Sequence, residues 1–75
     1  MNALEKAKAE HRKYVSIGMD IRAALVQVTA HIRALTELYE NRHYSKTFRD
    51  ALIAERDRLN IESSAMHSVI REGEA

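Results

Sequence analysis

The stretch that decides the fold is IRAALVQVTAHIRALTELY, residues 21–39. Its large apolar residues step by three and four: Ile21, Leu25, Val28, Ile32, Leu35 and Tyr39. That spacing places all six on one stripe of an α-helix. It fits no strand, because apolar and polar residues never alternate over a useful length. Ile21, Val28 and Leu35 take one core position of a heptad, and Leu25, Ile32 and Tyr39 take the other. Ile17, Ala24 and Leu38 widen the stripe on one flank. A stripe wider than two positions per heptad is expected of a helix with more than one neighbour.

Towards the N-terminus the register runs back through Gly18, Tyr14, His11, Ala7 and Leu4, with weaker core residues. One helix over about 3–41 is therefore expected. Gly18 offers the alternative. A glycine inside a helix costs ~1 kcal/mol relative to alanine, and a break there would give a short first helix and a three-helix arrangement.

Towards the C-terminus, Leu52, Leu59 and Met66 recur every seven residues, with Phe48 and Val69 to one side and Ile70 to the other. A second helix is expected over about 47–72. Ala51, Ala54, Ser63, Ser64 and Ala65 are small enough to admit a neighbouring helix. The turn between the helices falls at about 42–46, in a segment without Gly or Pro. Asn41 tolerates the left-handed conformation that ends helices, and Gly73 stands where a C-terminal cap would. Thr47 with Asp50 three residues on resembles a capping box, and Ser45 competes as the N-cap.

The expected fold class is all-α: an antiparallel helical hairpin forming one domain over residues 1–75. At about 1.5 Å per residue the two helices would be roughly 58 and 39 Å long. Residues 1–15 would then overhang as an arm with no partner in the chain.

Composition bounds the rest. Only 75 residues are available, with no cysteine and therefore no disulfide staple. Hydrophobic residues are 45% of the chain, but 11 of them are alanine, so the core has few large groups. At this size only about 60% of the unfolded surface is buried, and stability is marginal. A hairpin covers one face of each helix and leaves the widened stripe partly wet. Two hairpins joined as a four-helix bundle would cover it, so a homodimer is expected. Its self-association residues would be Ile21, Leu25, Val28, Ile32, Leu35, Leu38 and Tyr39 on the first helix. On the second they would be Leu52, Leu59, Met66 and Val69.

No run approaches the roughly 18 to 20 apolar residues of a membrane helix, and MNALEKAKAEHRK lacks the apolar core of a signal peptide. A cytoplasmic location with no membrane contact is expected. The formal net charge of +1 falls short of a dedicated nucleic-acid binder.

Catalytic chemistry finds no constellation. His11, His31, His43 and His67 include no pair spaced four apart on a helix, and no HExxH is present. No metal and no cofactor is expected. Asp50, Glu55, Asp57 and Glu62 interleave with Arg49, Arg56 and Arg58, the pattern of a solvated helix face, with Arg58–Glu62 at ion-pair spacing. There is no cysteine nucleophile, phosphate loop or GxSxG. The chain reads as a non-enzyme.

Binding features concentrate in two places. Tyr39, Tyr44 and Phe48 supply three of the four aromatics, among Arg42, His43, Lys46 and Arg49. Tyr and Arg are enriched among interface hot spots. Arg42, His43, Tyr44, Lys46 and Arg49 form the expected contact set at the tip. Lys8, Arg12 and Tyr14 form a second set on the basic arm. The expected function is binding of another protein, as an adaptor, co-chaperone or inhibitor. Nucleic-acid or nucleotide binding by the arm and tip of a dimer is the second reading. A coiled-coil subunit of a larger assembly is the third. In length and helix pattern the chain is similar to the small hairpin co-chaperones of type III secretion systems and to small phage-encoded inhibitors of host regulators. Both include short helical hairpins that dimerise or cap a partner's apolar surface. The likeness is carried by no motif, and no functional residue is transferred.

Overall fold

The computed structural model of the chain describes residues 1–74. Among them it contains three helices and no strand: α1 (Ala3–Ser16), α2 (Ile21–Glu40) and α3 (Lys46–Glu74). None of these helices is long and apolar enough to cross a membrane.

The single helix expected over 3–41 is two helices, and the break lies where Gly18 allowed it. Gly18 adopts φ +89°, a left-handed conformation that costs an L-residue with a side chain roughly 1–2 kcal/mol. Its N–H bonds the Val15 carbonyl at 3.0 Å, and the Met19 N–H bonds the Tyr14 carbonyl at 3.0 Å. This pair of crossed bonds satisfies the last carbonyls of α1 and defines a Schellman cap. Two residues later Asp20 caps α2: its Oδ1 accepts from the N–H groups of Arg22 (3.1 Å) and Ala23 (3.2 Å). A carboxylate at that end also complements the helix dipole. Asn2 serves α1 in the same way, its Oδ1 accepting from Glu5 N–H at 2.8 Å.

The second connection also departs from expectation. Asn41 is extended, at φ −77° and ψ 105°, and not left-handed. It shapes the turn through its side chain, whose Oδ1 accepts from the His43 N–H at 3.0 Å. Ser45, rather than Thr47, caps α3, with its Oγ accepting from Phe48 N–H at 3.2 Å. Gly73 lies inside α3, one residue from its end, and makes no cap.

At about 1.5 Å per residue the 29 residues of α3 span roughly 44 Å, matching the 45 Å long axis of the molecule. The other two helices lie against it. Tyr39 near the end of α2 meets Arg49 near the start of α3, and Arg22 near the start of α2 pairs with Glu74 at the end of α3. These two helices therefore run antiparallel. Leu35, Leu52 and Leu59 form their core, with Val28, Ile32 and Tyr39 packed on it. α1 does not overhang. The chain turns back at Gly18 so that α1 runs parallel to α3, with His11 on Glu62 and Arg12 on Glu72. Ala7 and His11 are its buried residues. Of the small residues on α3, Ala65 is wholly enclosed and Ser63 half-buried, while Ala51, Ala54 and Ser64 stay exposed.

Candidate functional site

The segment joining α2 to α3 gathers the aromatic and basic residues. Tyr44 and Phe48 pack together with their rings tilted at 54° and ring centres 4.9 Å apart, and both are exposed at about 40%. Arg49 is not free. Its Nε donates to the Tyr39 carbonyl at 3.1 Å, and its guanidinium sits 4.7 Å from the centre of the Tyr39 ring. It ties the end of α2 to the start of α3. Lys46 pairs with Asp50 at 2.8 Å, which raises the Lys46 pKa through that hydrogen bond. Arg42 and His43 are exposed and enter no ion pair among the described residues. The open part of the tip is therefore Arg42, His43, Tyr44 and the outer face of Phe48.

The second contact set is placed differently from its expectation as a free arm. Arg12 forks onto Glu72, with Nε at 2.9 Å and Nη2 at 2.7 Å. The hydrogen bond from Arg12 holds the Glu72 carboxyl below the usual carboxylate range. Lys8 faces Glu5 at 3.5 Å. Tyr14 is exposed and meets the His11 ring edge-on at 5.6 Å. The structure does not bring this set to the tip: α1 docks along α3, towards its C-terminal half.

The residues expected to mediate self-association divide by burial. Ile21, Leu35, Leu52, Leu59, Met66 and Val69 are buried within the single chain. Leu25, Val28, Ile32 and Tyr39 are half-buried, and Leu38 is exposed.

A groove of about 550 Å3 runs between α2 and α3. Leu25, Val26 and Ile70 give it an apolar lining, and Thr29 and Ala30 are its small residues. Arg22, Arg33 and His67 add positive and titratable groups. Val26 is 66% exposed there, although it is aliphatic and mid-helix. Sequence reading missed Val26 because it stands off the heptad stripe; the signal was its place one turn from Arg22 and from Thr29 and Ala30. Further apolar surface lies open at the α1–α2 elbow, where Ile17 is 70% and Met19 51% exposed.

The third polar feature joins α1 to α3. His11 is 5% exposed, and its Nε2 lies 2.6 Å from Glu62 Oε2. A carboxylate only accepts, so the imidazole donates. Arg58, four residues before Glu62, pairs with Glu55. That hydrogen bond lowers the Glu55 pKa. Among the described residues no three His, Cys, Asp or Glu side chains group as metal ligands. His31 and His67 are exposed and do not meet His11 or His43 in any such group.

No protein-family model matches the chain, and no curated protein or solved structure matches it.

Proposed function

We propose that this chain is a small non-enzymatic protein-interaction module. Its α2–α3 pair acts as a helical hairpin that self-associates, and its aromatic–basic tip binds another protein as an adaptor, co-chaperone or inhibitor. The observation that carries this reading is the apolar surface the chain leaves open in mid-helix and at the elbow, above all Val26 and Ile17. Scattered exposed apolar residues are ordinary; a contiguous patch rimmed by polar groups marks an interaction surface. Val26 and Leu25 lie in such a patch, rimmed by Arg22 and Arg33. A second hairpin set against it would complete a four-helix bundle, with α1 on the flank.

Phosphate binding by the arm and tip has less support. Lys8, Arg12, Lys46 and Arg49 each hold a partner within the chain. That leaves few cations to neutralise phosphates.

Affinity capture from the source cell tests the reading. Wild type should retain a stoichiometric protein partner, and Arg42→Ala and Tyr44→Ala should release it while keeping wild-type helicity. The same proteins retained by all three, or none by wild type, would overturn it.

A further inference from the structure

We propose that the groove between α2 and α3 seats a second copy of this chain, with α2 crossing the copy's α2 antiparallel about a two-fold axis beside Thr29 and Ala30. The inference rests on the self-association reading and names its surface and register. The outer line of α2 runs Arg22, Val26, Thr29, Arg33, Glu37. All five are exposed, and they recur at the three- and four-residue steps of one helix face.

The line is complementary to its own reversal. Placing the axis between Thr29 and Ala30 sets Arg22 opposite the copy's Glu37 and Val26 opposite the copy's Arg33. Thr29 then faces the copy's Ala30. A two-fold repeats each contact, as isologous interfaces require. The two central residues are small, which allows the close approach that helix packing needs, about 8–10 Å between axes. Val26 gains the aliphatic stem of Arg33, whose charged head stays at the rim. Arg22, poorly placed beside the positive end of its own helix, comes to lie beside the negative end of the copy's α2.

The charges are available for this. Glu37 and Arg33 enter none of the ion pairs among the described residues. Arg22 pairs with Glu74 but keeps 64% of its side chain exposed, and a guanidinium has donors for two carboxylates. In the parallel alternative Arg22 would face Arg22 and Glu37 would face Glu37. Like charges at both ends make that arrangement repulsive.

The chain has no cysteine, so one introduced thiol reports its own neighbours. Ala30→Cys stands next to the axis and should form a disulfide dimer under mild oxidation. Gln27→Cys, on another face of the same helix, should stay largely uncrosslinked. Charge reversal gives a second readout by sedimentation. Glu37→Arg and Arg22→Glu should each raise the dimer dissociation constant about tenfold, by turning two attractive pairs into two repulsive ones. The combined variant should return to near the wild-type constant. A wild-type dimer in which Ala30→Cys does not crosslink preferentially, or whose double reversal is no better than either single one, overturns this register and leaves self-association standing. A wild-type monomer at micromolar concentration overturns both.

Discussion

His11 on α1 and Glu62 on α3 meet at 2.6 Å across 51 residues of sequence. The contact places α1 against α3, where local helical pattern would have left it projecting. Arg12 and Glu72 add a second tie on an exposed side of α3, nearly three turns beyond Glu62 at about 3.6 residues per turn. A hydrogen bond to a charged group is worth about 1.5–3 kcal/mol net when partly buried. Glu62→Gln and His11→Ala should therefore each lower stability by about 1–3 kcal/mol, the histidine change more because it also empties buried volume. Urea midpoints read the loss. Amide exchange should accelerate through α1 and stay slow around Leu52 and Leu59; an α1 as protected as in wild type would contradict the assignment.

Acid should loosen the same seam. The Glu72 carboxyl, held by the Arg12 hydrogen bond, titrates lower in the folded chain than in the unfolded one. The unfolded state then binds protons first, so the stabilisation is fully present above the ordinary carboxylate value of about 4.3 and is lost as pH falls through the depressed one. Glu55, held by Arg58, behaves alike. Arg12→Ala should raise the Glu72 carboxyl pKa towards the ordinary value, read by NMR titration, and leave Glu55 unmoved. No change at Glu72 would count against the pair.

The two glycines should respond to alanine with opposite signs. Gly18 has a positive φ, and no atom stands within 4 Å of where its Cβ would go. The cost of Gly18→Ala is thus conformational, about 1–2 kcal/mol. Gly73 is inside α3 and equally uncrowded, so Gly73→Ala should be neutral or stabilise by up to about 1 kcal/mol. Thermal midpoints should fall for the first and hold or rise for the second.

Core and groove should separate folding from assembly. Leu59 is 5% exposed in the α2–α3 core, and Leu59→Ala should cost about 2–5 kcal/mol. Leu59→Asp should abolish the fold, read as lost helical circular dichroism. Leu25 is half-buried and lines the groove, so Leu25→Asp should weaken association more than helicity. Tyr44→Ala should leave both near wild type.

Much of this was legible in the sequence. The 21–39 stripe forced a helix, and the seven-residue spacing of Leu52, Leu59 and Met66 forced its neighbour. The break was legible too, in Gly18 followed two residues later by Asp20, a C-terminal cap and then an N-cap. The heptad spacing running unbroken through His11 and Gly18 concealed it, because spacing alone does not sense a backbone dihedral. Glu62 stood at ion-pair spacing from Arg58, yet a residue 51 positions away took it, and local spacing carries no such information. At the tip the mixture of aromatics and cations was visible. Which cation is spent inside the chain was not: Arg49 reaches back to Tyr39, whereas Arg42 has no such acceptor.

Sedimentation equilibrium of the chain at micromolar concentration reads whether association covers the surplus apolar helix surface. The mass should be twice the chain's 8.6 kDa, falling on dilution and for Leu25→Asp. A fully helical species of 8.6 kDa that persists as concentration rises would contradict it.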